Sequence, residues 1–208
     1  MADPVDAVIG LDVHNPRAMV AALDKLYSSD AMSGQKATLW AGTFRGSSPS
    51  THTVVVEYDS YADQEKKLKK RNASPDWLRF IQTLDGVSSV KSTRMAIQRS
   101  VEGSGWRDHG AMTAFTMAVS DPATYAAAFA EMIDSTGNPG SIRLMEMRFG
   151  GEGTTHVVLI SAPGSAVLNE YLDELLASDA YRTFAGKVSG IRTIRTVTML
   201  TRVRSFGD

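Results

Sequence analysis

Two stretches of this chain, 104 positions apart, carry the same pattern. Thr51-His52-Thr53-Val54-Val55-Val56 returns as Thr155-His156-Val157-Val158-Leu159-Ile160. At the same spacing Ala73-Ser74 returns as Ala177-Ser178, Trp77 as Tyr181, Phe80 as Phe184, Gly86-Val87 as Gly190-Ile191 and Val90 as Ile194. Asn15-Pro16 returns as Asp121-Pro122 at a spacing of 106, so a short deletion separates the two matched stretches. A period this long, matching core positions while loops differ, describes two copies of a domain and not a solenoid. The 208 residues divide accordingly into a first copy at 1–102, a linker at 103–110 and a second copy at 111–208. One unit of this size buries a modest core, and fusing two lets each cover apolar surface that the other leaves open.

Composition narrows the function classes. Hydrophobic residues make up 43% and charged residues 22%, with a net charge of −1, as in an ordinary globular chain. No basic run is interleaved with aromatics, so nucleic acid is not an expected partner. The cluster Lys66, Lys67, Lys69, Lys70 and Arg71 follows Asp63 and Glu65 on a helical stretch and reads as a solvated face. There is no cysteine, hence no disulfide framework and no thiolate chemistry. Met1-Ala2-Asp3-Pro4 lacks the pattern of a secretion signal, and no apolar run is long enough for a membrane span. The expectation is a soluble, cytoplasmic protein.

Residues 7–13 and 113–119 alternate with period two, one face bulky and apolar, the other small or polar. Asn15-Pro16 and Asp121-Pro122 then supply a capping side chain followed by proline at the first helical position. The helices place Met19, Leu23, Leu26 and Tyr27, and in the second copy Tyr125, Phe129, Met132 and Ile133, on one stripe. Strands at 37–44 and 53–58 form a hairpin, repeated at 142–149 and 157–162. Second helices are expected at 61–72 and 165–176. Short helical turns follow around 77–80 and 181–184, and last strands at 90–99 and 194–203. Each copy is therefore β-α-β-β-α-β, the ferredoxin-like order, with the first strand between the third and fourth. Two helices cover one face of such a sheet; the bare face calls for a partner.

The element order, the tandem arrangement and the Ala-Ser-x-x-Trp/Tyr-x-x-Phe spacing after the second helix resemble the dimeric α+β barrel superfamily, which includes antibiotic-biosynthesis-type monooxygenases. The resemblance implies an α+β fold in which two ferredoxin-like repeats pack sheet to sheet within one chain. It also implies that small molecules bind in clefts between sheet and helices. Members include cofactor-independent oxygenases, haem-degrading enzymes, chlorite dismutases and proteins without known activity. The haem proteins of that superfamily carry an axial histidine near the cleft. The helical stretches at 66–72 and 168–176 contain none, and no glycine-rich strand-turn-helix suggests a nucleotide or flavin. No cofactor and no metal are expected.

Asp12 and His14 lie two apart on the first strand, with Arg94 on the fourth strand as their nearest candidate partner. The trio could act as orienting carboxylate, base and anion stabiliser, or Asp12 could merely be neutralised by Arg94. The second copy has Ala118, Ser120 and Thr198 there, so the two clefts cannot share this chemistry. His52 and His156 follow threonines at turns, without carboxylate company, and read as structural. Glu146 and Arg148 share a strand face and suit a salt bridge at the seam between copies. On the opposite face Met145, Met147 and Phe149 correspond to Trp40, Gly42 and Phe44; the Met and aromatic residues could line a cleft for a flat apolar ligand. Two functions remain open: a protein that binds a small, largely apolar molecule without catalysis, or a cofactor-independent monooxygenase-like enzyme using the first-copy cleft. Finally, Leu168, Tyr171, Leu172, Leu175 and Leu176 replace Gln64, Lys67, Leu68, Arg71 and Asn72. That broad apolar stripe suggests a homodimer through the helix at 165–176.

Overall fold

The computed structural model describes residues 3–207. The first repeat contains β1 (Val5–Val13), α1 (Pro16–Tyr27), β2 (Lys36–Phe44), β3 (His52–Tyr58), α2 (Tyr61–Asn72), α3 (Pro75–Leu84) and β4 (Ser88–Gly103). The second contains β5 (Ala111–Val119), α4 (Pro122–Thr136), β6 (Ser141–Phe149), β7 (His156–Ala162), α5 (Ser165–Ala177), α6 (Asp179–Val188) and β8 (Arg192–Phe206). The caps behave as their residue types dictate. Asn15 Oδ1 accepts from the Ala18 amide and Asp121 Oδ1 from the Thr124 amide, both at 3.1 Å. The expected short turns at 77–80 and 181–184 are instead full ten-residue helices, started by the Ser74 and Ser178 caps.

All eight strands close into one barrel in the order β1-β3-β2-β8-β5-β7-β6-β4. Within each repeat the first strand lies between the third and fourth, as the crossover rule requires. Closure comes from exchange at the edges: β8 pairs with β2 and β4 pairs with β6, so no sheet edge is left open. This explains why β4 and β8 run to 16 and 15 residues, longer than their local pattern suggests. At one seam Arg99 Nε meets the Glu146 carboxylate at 2.5 Å, and Glu146 also pairs with Arg148 at 3.2 Å.

The interior of an eight-stranded barrel is narrow enough for side chains to fill it. Here the lumen holds Trp40, Val55, Met112, Ala114, Met145, Val157 and Leu159. The connector at 104–110 helps to fill it. Trp106 is buried and stacks on Trp40 with ring centroids 6.2 Å apart. Arg107 pairs with Glu57 at 3.1 Å and donates to the Phe206 and Gly207 carbonyls, at 2.6 and 3.0 Å. What reads as a linker is thus a plug that ties the two seams together.

The helix-covered faces differ sharply. In the second repeat Tyr125, Phe129, Leu168, Leu175, Phe184 and Val188 form one buried cluster against the sheet. The leucines expected to form a dimer interface are spent there: Leu168 and Leu175 are buried, Tyr171 and Leu172 pack against the cluster, and only Val167 and Leu176 face outward. In the first repeat neither α2 nor α3 has a buried residue. Gln64, Lys67 and Arg71 stand where the second repeat has Leu168, Tyr171 and Leu175, and polar groups of this kind cannot close an apolar core.

Candidate functional site

The space left open in the first repeat is a cavity of about 280 Å³ between the outer face of the sheet and α1, α2 and α3. Small-molecule sites run from about 300 to 1,000 Å³, so this one suits a compact ligand. Ile9, Leu11, Val54 and Val56 form its floor. Leu23 and Leu26 of α1 and Phe80, Ile81 and Leu84 of α3 form the walls. In the second repeat the equivalent place is occupied by the side chains of the buried cluster. A smaller groove of about 190 Å³ there lies elsewhere, between α4 and α6.

The cavity carries few polar groups, and their signs are one-sided. Tyr27, Tyr58, Gln35, Lys67, Arg71 and Thr93 line it, and among the described residues no carboxylate does. Lys67 is held by Asp63 at 2.8 Å. Arg71 Cζ lies over the Trp77 ring, 4.0 Å from its centroid, and among the described residues the guanidinium bonds only to the amide oxygen of Asn72. Burial lowers its pKa, against the pull of the Tyr58 and Tyr27 phenols. Burial likewise pushes both phenols up, so each stays a neutral donor throughout the physiological range. Gln35 is committed elsewhere, donating to the Glu57 carbonyl at 2.6 Å.

Asp12, His14 and Arg94 are not brought together. Asp12 and Arg94 leave their strands on the face opposite Leu11 and Val13, away from the cavity. Asp12 pairs weakly with Lys91 at 3.7 Å, and His14 is exposed beyond the end of β1. Arg94 lies opposite Val8, four residues and roughly 13 Å down the strand from Asp12. The candidate ligand residues are displaced in the same sense. Trp40, Met145 and Met147 point into the filled lumen, and Phe44 and Phe149 stand 68% exposed at strand ends. Alternation separates the two faces of a strand but does not say which one the helices cover. His52 and His156 serve their turns: their Nδ1 atoms lie 3.0 and 2.9 Å from Thr51 and Thr155 Oγ1. Those hydroxyls in turn accept from the Val13 and Val119 amides, both at 2.8 Å. The residues that sequence reasoning missed are Tyr27, Tyr58, Arg71 and Trp77. Their signal was the exchange of Leu168, Tyr171 and Leu175 for Gln64, Lys67 and Arg71.

No protein-family model and no curated protein matches the chain. Solved structures do. A proposed monooxygenase from Fusobacterium nucleatum superposes with a TM-score of 0.68 at 9% identity, over 100% of this chain and 95% of its own. A proposed monooxygenase from Lactobacillus acidophilus gives 0.64 at 12%, over 99% and 96%. An anthrone oxidase-like protein gives 0.64 at 12%, over 99% and 93%. The chain has the dimeric α+β barrel fold, built from two repeats of one polypeptide. At these identities the likeness speaks for the fold alone. No helix among the described residues is long and apolar enough to cross a membrane.

Proposed function

We propose that the protein binds a small, largely apolar molecule in the first-repeat cleft between sheet and helices. One observation carries this reading: the same fold is closed by Phe129, Leu168, Leu175 and Phe184 in one repeat and left open in the other. An empty apolar cavity sacrifices packing, about 24 cal/mol for each Å³, and two copies of one domain need not both accept that cost. The test is to fill the cleft with the second repeat's own side chains. Met19→Tyr with Leu23→Phe, the counterparts of Tyr125 and Phe129, should abolish saturable binding of the neutral fluorophore 1-aminoanthracene. The thermal midpoint should hold or rise. Undiminished binding in that variant would place the ligand elsewhere.

The second reading is a cofactor-independent monooxygenase-like enzyme acting on the molecule held in the same cavity. Its support is that two similar structures are proposed monooxygenases. Dioxygen uptake that depends on substrate and disappears in the filled variant would distinguish catalysis from binding alone. A cytoplasmic setting suits a chain without cysteine. Association through α5 retains only Val167 and Leu176 as support. Sedimentation at micromolar concentration is accordingly expected to give a single-chain species.

A further inference from the structure

Resting on that reading, we propose that the cavity's ligand is an apolar acid whose carboxylate is held by Arg71 together with the phenols of Tyr27 and Tyr58. Among the described residues the cavity wall carries two cationic side chains and no anionic one. Lys67 has its carboxylate in Asp63, whereas among the described residues Arg71 has none, and its one acceptor there is the neutral amide of Asn72. Trp77 holds the guanidinium plane from one face, which fixes its direction and leaves its remaining N–H groups for a bound group. Tyr58 is only 4% exposed, lines the same cavity, and its hydroxyl has no hydrogen-bond partner among the described residues. Because Tyr58 lines the cavity, a ligand that covers its hydroxyl has to supply the acceptor. Tyr27, at the same wall, also lacks one among the described residues.

Two phenols without acceptors among the described residues and a guanidinium without a carboxylate, in a chamber lined mostly by aliphatic and aromatic carbon, match a molecule with an apolar body and one anionic oxygen group. An amine would meet the Arg71 guanidinium with no carboxylate among the described lining residues, the nearby Asp63 being taken by Lys67. A neutral hydrocarbon would bury the Tyr58 hydroxyl unpaired, which costs about 1–3 kcal/mol. The position of Arg71 is informative in itself. Its counterpart Leu175 is buried in the second-repeat core, so the charge sits where the fold accepts a leucine.

The test uses a matched pair of probes, 2-naphthaleneacetate and 2-naphthaleneacetamide, titrated into the whole protein with calorimetry as the readout. The intact protein should bind the acid about tenfold to hundredfold more tightly than the amide, as one charge-assisted contact allows. Arg71→Met should remove that preference by weakening the acid and leaving the amide unchanged. Tyr58→Phe, which keeps the ring and removes only the hydroxyl, should weaken the acid by a smaller factor. Equal binding of both probes by the intact protein, or a preference that survives Arg71→Met, overturns the acid inference and leaves the cavity reading intact. If neither probe binds and 1-aminoanthracene also fails, the cavity reading falls and the acid inference falls with it.

Discussion

Phe184→Ala is expected to cost about 3–5 kcal/mol of stability, whereas Phe80→Ala, the same change at the duplicated position, is expected to cost about 1 kcal/mol. Phe184 is 3% exposed and packs edge-on against Tyr125 and Phe129, with centroids 5.6 and 6.2 Å away. The cluster around it is closed by Leu168, Leu175 and Val188, so an alanine there leaves a void that its neighbours can only partly fill. Phe80 instead faces the cavity, half-buried, with Trp77 at 5.4 Å as its aromatic neighbour. Removing it enlarges a space that is already open. Its effect should fall on ligand binding, which Phe184→Ala should leave alone at temperatures where that variant stays folded. Chemical denaturation of the two variants measures the difference directly. Equal costs would mean that the first-repeat cleft is packed as tightly as the second.

Much of the fold was legible because duplication multiplies every weak signal. A strand read from alternation in one copy was supported by its twin, and most element ends fall within one or two residues of the spacing-based expectation. The excess length of β4 and β8 was not legible. Their outer halves are stabilised by β6 and β2 of the other repeat, and no local period announces a partner that lies so far along the chain. The connector was hidden for a related reason: glycines around Trp106 and Arg107 look like slack chain until the stacked Trp40 and the accepting carbonyls are in view. The site was the least legible part. Charged residues on a central strand drew attention to Asp12, His14 and Arg94, although the strand face that carries them is not the one the helices cover. The informative contrast was present in α2 and α5, where Arg71 answers to Leu175. Sequence reasoning assigned the surplus to the leucines, as an interface; packing shows that the leucines are the ordinary core and the deficit lies with Gln64, Lys67 and Arg71.

The other large effect belongs to the barrel lumen, where Arg143→Ala is expected to destabilise the fold by about 3–5 kcal/mol at neutral pH. Arg143 Nη2 meets the Asp6 carboxylate at 2.7 Å, both side chains being almost fully buried, and its Nε donates to Gln98 Oε1 at 2.9 Å. The guanidinium also lies 4.5 Å from the Trp106 ring centroid, linking this pair to the connector. Asp6 stands directly across the β1–β3 ladder from Glu57, so removing Arg143 leaves two neighbouring carboxylates with Arg107 and Lys36, both beside Glu57, as the remaining nearby cations. Burial already pushes the Asp6 carboxyl up, with Arg143 opposing that rise. Without Arg143 the native state holds the Asp6 proton to still higher pH, while the unfolded chain releases it near the ordinary carboxylate value. Between those two points the native state binds the extra proton, so stability falls as pH rises. The penalty of Arg143→Ala should therefore shrink on acidification from neutrality towards the ordinary carboxylate range, in contrast to Phe184→Ala, whose cost has no such pH term. Asp6→Leu combined with Arg143→Met should cost much less than the sum of the single changes, because no uncompensated charge stays in the lumen. Denaturation midpoints of the single and double variants, measured at neutral and mildly acidic pH, give the coupling; strict additivity at both would mean that water reaches this pair and screens it.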